Sequence, residues 1–227
     1  MSDAMIAVRD LVKTYHVGDV EVRALRGVNL QVQRGEFLSI VGHSGSGKST
    51  LFNIIGGLTP PTGGTILIDG KNLRQMSEAD RTNLRKSSIG FVFQKYNLLP
   101  TLTAADNIQL ARSISGSPPA NGAAAEFQQA LELLGIAHRL HHKPRALSGG
   151  EQQRVAIARA IVNHPAIILA DEPTGNLDSE NSVAVLGLLR DLNQRLGQTI
   201  VMITHNPEAA AYAHRTARME DGRIAEQ

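Results

Sequence analysis

A glycine-rich loop between a strand-like and a helix-like stretch limits the folds open to this chain more than any other feature. It runs from Gly42 to Thr50 with the spacing G-x-x-x-x-G-K-S, after the apolar residues 37–41 and before the helical residues 51–55. Glycines at this spacing let backbone N–H groups curl around an anion, and the following helix adds its own unpaired N–H groups. A flexible Gly/Ser linker is the alternative. The strand before and the helix after favour a site for the phosphates of a nucleoside triphosphate.

This loop supplies most of the predicted nucleotide contacts. In such a pattern the lysine, Lys48, reaches the outer phosphates, and the hydroxyl of Ser49 binds Mg²⁺. The loop residues predicted to bind the nucleotide are Gly42, Ser44, Gly45, Ser46, Gly47, Lys48, Ser49 and Thr50.

The composition excludes several other classes of protein. A chain of 227 residues suits one large domain, or one domain with an insertion. The net charge of +2 gives no general indication of nucleic-acid binding, and the absence of cysteine excludes disulfides and thiolate metal sites. The first ten residues do not resemble a signal peptide, and no apolar run approaches the roughly 20 residues of a membrane helix. We expect a cytoplasmic protein without a nucleic-acid partner, which reaches a membrane only through another subunit.

The N-terminal part of the chain has the pattern of β structure. Short alternating apolar stretches from Met5 to Val41, such as 28–32, predict antiparallel strands. Residues 65–68, followed by Asp69-Gly70, predict one side of a tight hairpin. We therefore expect an antiparallel β subdomain around the glycine-rich loop.

The rest of the chain predicts an α/β fold with a helical insertion. Between Lys95 and about Asn163 the residue pattern becomes typical of helices. It predicts a helix at 123–134, after a break at 115–119. Buried strands at 166–170 and 199–204 then flank a helix at 179–196. Buried strands that alternate with helices predict a mostly parallel sheet.

Two carboxylates follow the first of these buried strands. Asp171 and Glu172 come directly after residues 166–170, where a strand's carboxyl end delivers side chains into the crevice of an open α/β sheet. One carboxylate can hold Mg²⁺ through water, while its neighbour acts as a base for an attacking water. Two solvated acids before the chain stop Pro173 are the alternative.

The segment Leu147 to Arg154 reads LSGGEQQR and narrows the class. Ser148 and Glu151 form a capping-box pattern before a helical stretch, and the two glycines expose backbone N–H groups at the helix start. The residues alone allow either a structural cap or an anion site. Between the phosphate loop and the Asp-Glu pair, however, LSGGEQQR resembles the signature motif of the ABC transporter ATPases.

The resemblance covers essentially the whole chain and implies roles for four more residues. Tyr15 matches the aromatic residue on which adenine stacks, and Gln94 matches the glutamine that reaches Mg²⁺ and the attacking water. Asp178 matches a loop that crosses to the opposite protomer, and His205 matches the histidine that contacts the γ-phosphate. Without the resemblance, Tyr15 would be assigned to packing and His205 to a strand end with no role.

ATP hydrolysis across a dimer interface is the mechanism that the resemblance implies. Ser148, Gly149 and Gly150 of one protomer close over ATP that the phosphate loop of the other protomer holds. The implied Mg²⁺ ligands are Ser49, Gln94 and Asp171. The implied catalytic residues are Glu172, which polarises the water, and His205, Gln94 and Lys48.

Two segments, 94–108 and 171–178, resemble the ATPases of lipoprotein-release and macrolide-export systems. This resemblance implies a permease partner in the inner membrane and the export or extraction of a lipophilic substrate. A regulatory ATPase of a cell-division type complex, with little transport, is one alternative. A soluble ABC ATPase that acts on ribosomes or DNA is another.

The resemblance also implies one ABC ATPase domain over residues 1–227. Its nucleotide-binding core and β subdomain would take about 1–94 and 164–227, and its helical subdomain about 95–163. Within the latter, His138, His141 and His142 have helix-compatible spacing that suggests a metal site. The basic residues 143–145 beside them favour a solvated surface instead.

Overall fold

The fold is known from a computed structural model, which describes residues 4–116 and 123–226. Residues 117–119 of the predicted break lie outside the described residues. The strands are β1 (Ala4–Val17), β2 (Val20–Gln33), β3 (Phe37–Val41), β4 (Gly63–Ile68), β5 (Lys71–Asn72), β6 (Ile89–Phe93), β7 (Ile167–Asp171), β8 (Thr199–Thr204), β9 (Arg215–Glu220) and β10 (Arg223–Glu226). The helices are α1 (Lys48–Ile55), α2 (Glu78–Ser88), α3 (Ala104–Ser115), α4 (Ala123–Leu134), α5 (Gly149–Ile161), α6 (Ser179–Leu196) and α7 (Pro207–Ala210).

An antiparallel sheet forms the N-terminal part of the fold. Its strand order is β2-β1-β4-β5, and every neighbouring pair is antiparallel. The predicted hairpin is confirmed, because Ile68 pairs with Lys71 across a turn in which Asp69 and Gly70 have φ of +48° and +73°. Positive φ at both turn residues matches the right-handed twist of the strands, and aspartate and glycine tolerate it.

A second sheet carries the glycine-rich loop, with the order β10-β9-β3-β8-β7-β6. Strands β9 to β6 of this sheet are parallel, and β10 is antiparallel to β9. The prediction of antiparallel strands through residue 41 is therefore wrong for β3, which pairs in parallel with β8 and β9. Alternation of apolar residues reports which faces of a strand are buried, and it does not report the direction of the neighbouring strand.

The parallel sheet lies between two hydrophobic cores, and alternate residues of each strand point into each. Leu38 and Ile40 of β3 pack with α1 and the antiparallel sheet. Ile168 and Ala170 of β7 face the other core, which contains apolar residues of α4, α5 and α6. Burial on both faces explains why β7 and β8 are continuous apolar runs.

The predicted helices α4 and α6 begin and end where expected. Helix α2 was missed, although Ser77 and Asp80 form a capping box at its start. Its only buried residue is Leu84, so the helix has almost no apolar face that periodicity can detect. Helices α3, α4 and α5 fall in the range predicted to be helical, and the division into subdomains stays a prediction.

Gly90 of β6 supports a first prediction, because helix α5 crosses the sheet at this residue. A Cβ at Gly90 would lie 2.3 Å from the carbonyl oxygen of Ala160, a backbone atom of α5 that cannot rotate away. We expect Gly90→Ala to lower the free energy of unfolding by roughly 1–3 kcal/mol, the usual cost of overpacking. Denaturant unfolding measures this quantity.

Gly187→Ala is the matched control, since a Cβ at Gly187 of helix α6 would meet nothing within 4 Å. That substitution should leave stability unchanged or raise it, because alanine favours helix over glycine. An unfolding free energy of Gly90→Ala equal to that of the unmutated chain would contradict the close packing of α5 on β6.

Candidate active site

The glycine-rich loop connects β3 to α1, and two of its positions have room only for glycine. At Gly42 a Cβ would lie 2.3 Å from the carbonyl oxygen of Met219. At Gly47, where φ is +105°, it would lie 2.7 Å from the carbonyl oxygen of Ala24. Gly45 has φ +80° and open space around it, so glycine there serves the backbone conformation.

Backbone hydrogen bonds from distant strands fix the position of this loop. The N–H of Gly222, in the turn between β9 and β10, donates to the carbonyl oxygen of Ser46 over 2.9 Å. The carbonyl oxygen of Gly222 in turn accepts from the N–H of Arg26 in β2, at 2.8 Å. Strand β2 and the hairpin of β9 and β10 therefore hold the loop in place, and the Ser46 side chain is fully buried.

Lys48 is the first residue of α1 and places its ammonium inside the loop. Its Nζ donates to the carbonyl oxygens of Gly42 and His43, over 2.7 and 2.9 Å. Burial lowers the pKa of Lys48, and the carboxylates of Glu172 and Asp171 oppose that shift. Phosphate oxygens are charged acceptors and bind an ammonium more strongly than neutral carbonyls do, so they can replace these contacts.

Asp171 ends strand β7 and lies partly buried beside the loop. Burial and the neighbouring Glu172 carboxylate raise the pKa of Asp171, while Lys48 lowers it. A cation bound next to this carboxylate would stabilise its charged form. The electrostatics of Asp171 therefore fit the role of a metal ligand.

Glu172 has an unusual backbone conformation. Its φ is +44°, in the left-handed region that non-glycine residues rarely adopt, and it directly precedes Pro173. Its N–H donates to the carbonyl oxygen of Ile203 over 2.9 Å, and its own carbonyl accepts from the N–H of Gly175 over 3.0 Å. Strand β8 and the turn at 172–175 together maintain the strained conformation.

The Glu172 carboxylate binds the end of β8 with both oxygens. Oε2 accepts from Thr204 Oγ1 over 2.9 Å, and Oε1 accepts from the N–H of His205 over 2.9 Å. The ring Nδ1 of His205 lies 2.7 Å from Oε1, and it carries the proton when the carboxylate is ionised, since a carboxylate only accepts. The His205 side chain is 71% exposed, so its ring can turn away without disturbing the core.

Gln94 follows β6 and is joined to the loop that contains Asp178. Its Nε2 donates to Asn176 Oδ1 over 3.3 Å, and Asn176 Nδ2 donates back to the carbonyl oxygen of Gln94 over 2.9 Å. A Cβ at Gly175 would lie 2.6 Å from Gln94 Nε2. The glutamine and this loop therefore pack as one unit.

An open cleft of about 830 Å³ brings most of the predicted residues together. This volume is typical of small-molecule sites, which measure about 300–1,000 Å³. The predicted site residues that line it are Ser44, Gly45, Gly47, Lys48, Ser49, Thr50, Gln94, Asp171, Glu172 and His205. Eight further residues line the cleft and were not predicted as site residues. His43 belongs to the glycine-rich loop, and the others carry no motif for nucleotide binding: Val22, Arg23, Ala24, Arg26, Ile203, Asp221 and Gly222.

Other predicted site residues do not line the cleft; they are Tyr15, Gly42, Ser46, Ser148, Gly149, Gly150 and Asp178. Tyr15 of β1 pairs with Val22 of β2, which does line it. Directly opposite residues of an antiparallel pair share one face of the sheet, so Tyr15 lies beside the edge of the cleft. Lys13 Nζ lies 4.9 Å from the centroid of the Tyr15 ring.

The signature segment leads into and begins helix α5, and its N-cap residue Ser148 is exposed. Ser148 Oγ accepts from the N–H of Glu151 over 3.2 Å, and Glu151 Oε2 accepts from the N–H of Ser148 over 2.8 Å. The predicted capping box is confirmed. The Ser148 N–H, and the Nε of Arg139 at 2.7 Å, lower the pKa of Glu151 against the opposing effect of burial.

Outside the cleft, the start of α6 next to Asp178 packs against the signature glycine Gly150. A Cβ at Gly150 would lie 2.1 Å from Asn181 Oδ1. The N–H of Asn181 donates to Asp178 Oδ1 over 2.8 Å, which makes Asp178 the N-cap of α6. The start of α5 and the start of α6 are thereby held together.

Two other features carry no part of this site. A cavity of about 620 Å³ beside Met5, Phe127 and Leu192 is lined by none of the predicted site residues. Within residues 4–116 and 123–226, no group of three or more histidines or carboxylates has the arrangement of a metal site, and this includes His138, His141 and His142.

Comparison with known families agrees with this arrangement. The profile of the ABC transporter family matches residues 25–175, which include the glycine-rich loop, the signature and the acid pair. The chain belongs to the ABC transporter family. It is an ATP-binding cassette that hydrolyses ATP, and the predicted family, fold class and enzyme class are confirmed.

Relatives of this cassette include the lipoprotein-releasing system ATP-binding protein LolD of Shewanella denitrificans, 47% identical over 97% of this chain and 94% of LolD. An uncharacterised ABC transporter ATP-binding protein of Thermotoga maritima is 49% identical over 95% of this chain and 91% of its own length. The macrolide export ATP-binding/permease protein MacB of Brucella melitensis is 47% identical over 97% of this chain, which corresponds to 34% of MacB.

A similar solved structure is a dimer of the cassette MJ0796 bound to ADP and Pi, with a TM-score of 0.86 and 40% identity. The alignment covers 98% of this chain and 97% of that chain. Among the residues that the structure describes, no helix of our cassette is long and apolar enough to cross a bilayer.

Proposed function

We propose that two copies of this cassette close around ATP and Mg²⁺ and hydrolyse ATP at sites that both copies complete. One observation carries this proposal: the cleft contains Lys48, Asp171 and Glu172, whereas the signature start at Ser148 lies outside the cleft of its own chain. A second copy can supply the signature. The relative MJ0796, described as a dimer bound to ADP and Pi, supports this arrangement.

In the proposed reaction the predicted residues have the following roles. The N–H groups of the loop and Lys48 hold the phosphates, Tyr15 stacks on adenine, and Asp178 lies on the surface that faces the second copy. Glu172 takes a proton from the attacking water, and His205 contacts the γ-phosphate.

The proposed Mg²⁺ site uses three residues that line the cleft and offer the oxygen ligands that Mg²⁺ prefers. The residues that would hold the metal are Ser49, Gln94 and Asp171. Bound Mg²⁺ neutralises phosphate charge.

We further propose that the cassette powers a permease at the cytoplasmic face of the inner membrane and has no nucleic-acid partner. The names of LolD and MacB support export or envelope extraction of a lipophilic substrate, and MacB joins a cassette and a permease in one protein. The helical subdomain would comprise about residues 95–163. The nucleotide-binding core with its β subdomain would comprise about residues 1–94 and 164–227. Turnover measured with the permease in vesicles separates this role from that of a regulatory cassette with little transport.

The dimer is tested by Ser148→Arg, which places a bulky side chain where the signature meets the ATP of the second copy. We expect this variant to bind ATP normally but to lose nearly all turnover. Mixed with Lys48→Ala protein, it forms some dimers with one intact site, built from its own loop and the signature of the Lys48→Ala chain. ATPase activity should then rise above that of either variant alone.

Ser113→Arg provides the matched control, because Ser113 is an exposed helical serine outside the cleft. It should keep the turnover of the unmutated cassette. Full activity of Ser148→Arg alone would contradict completion of the site by a second copy.

A further inference from the structure

The signature helix also contacts the turn that carries Glu172. Gln153, in the second turn of α5, is completely buried, and its Nε2 donates to the carbonyl oxygen of Pro173 over 2.7 Å. Its Oε1 has no hydrogen-bond partner among the described residues. Burying an amide costs free energy unless the amide makes hydrogen bonds. The hydrogen bond to Pro173 therefore offsets the cost of burying the Gln153 amide.

Pro173 follows a residue whose backbone needs support. Glu172 has φ +44°, and a residue before proline is further restricted toward extended conformations. Such a conformation persists only where the surroundings over-determine it. The contacts to Ile203 and Gly175 join backbone to backbone, whereas Gln153 supplies a side-chain anchor that substitution can remove.

We propose that Gln153 is a positioning residue for Glu172, which holds the 172–175 turn so that the carboxylate faces the cleft. The inference rests on the proposed function, because it takes Glu172 as the base for the attacking water. It also links two sites of the dimer. The helix that presents the signature to the ATP of the second copy holds the glutamate that acts on the ATP of its own chain.

Gln153→Met tests the proposal, because methionine keeps the length and burial of the side chain and removes the donor. We expect kcat for ATP to fall roughly ten-fold or more, while KM stays within about two-fold, since binding by the loop does not involve this turn. Gln128→Met is the matched control, an exposed glutamine on helix α4 that should keep the original kcat. Unchanged kcat in Gln153→Met would overturn the proposal.

A second measurement distinguishes a role of Gln153 in positioning Glu172 from a general structural role of Gln153. In the Glu172→Gln background, Gln153→Met should cause no further fall in residual turnover and should retain the dimer that forms with ATP. Loss of that dimer would place the role of Gln153 in the signature helix and overturn the proposal. Gln153→Leu, which also lacks a donor, should behave like Gln153→Met, and thermal unfolding confirms that both variants are folded.

Failure of the proposed function gives a different result. In that case Glu172→Gln alone would hydrolyse ATP at the original rate, or would form no dimer with ATP. If only the inference about Gln153 fails, Glu172→Gln still turns over slowly and still forms the ATP-bound dimer. Only the kcat or the dimer of the Gln153→Met variants then differs from the expected result.

Discussion

Glu172→Gln should lower the turnover of ATP by roughly 10²–10⁴-fold, the usual contribution of a general base. The amide has nearly the shape of the carboxylate, so the turn at 172–175 and the contact with Thr204 can be kept. It cannot take a proton from water. Binding through Lys48 and the loop does not use this group, so the affinity for ATP should remain and the ATP-bound dimer should accumulate.

The measurements are the steady-state ATPase rate and the molar mass by light scattering with ATP and Mg²⁺. Glu132→Gln serves as control, since Glu132 is an exposed carboxylate on α4 outside the cleft. It should change neither quantity. Turnover of Glu172→Gln equal to that of the unmutated cassette would remove Glu172 from the role of base.

Lys48→Ala should weaken ATP binding by roughly ten- to a hundred-fold, since hydrogen bonds to charged groups contribute about 1.5–3 kcal/mol each. Turnover should fall with affinity, because the same ammonium stabilises charge on the outer phosphates. Lys48 is only 9% exposed and contacts two carbonyls of the loop, so alanine also leaves these oxygens without their donor.

Titration with a fluorescent ATP analogue measures the affinity, and thermal unfolding shows whether the loop still supports a folded chain. Lys71→Ala is the matched control, an exposed lysine of β5 that does not line the cleft. Unchanged nucleotide affinity in Lys48→Ala would contradict the placement of the phosphates on this loop.

Much of the site could be predicted because each motif specifies its own local backbone. The glycine spacing of 42–50 defines a loop before a helix, and the pair Ser148 and Glu151 caps α5 within four residues. The acid pair was correctly placed after a buried strand because a continuous apolar run indicates burial on both faces. Roles for Tyr15, Gln94, Asp178 and His205 came from resemblance, since none of them has a local pattern that specifies its chemistry.

The sequence by itself determined the class of the protein, the phosphate loop, the cap of the signature helix and most of the strands and helices. Only the tertiary structure decided that β3 is parallel to its neighbours, that Arg26 and Gly222 support the loop, and that Gln153 meets Pro173. The physical reason is the range of the interactions. Caps, turns and periodicity act within a few residues, whereas strand order and packing join segments that only the complete fold brings together.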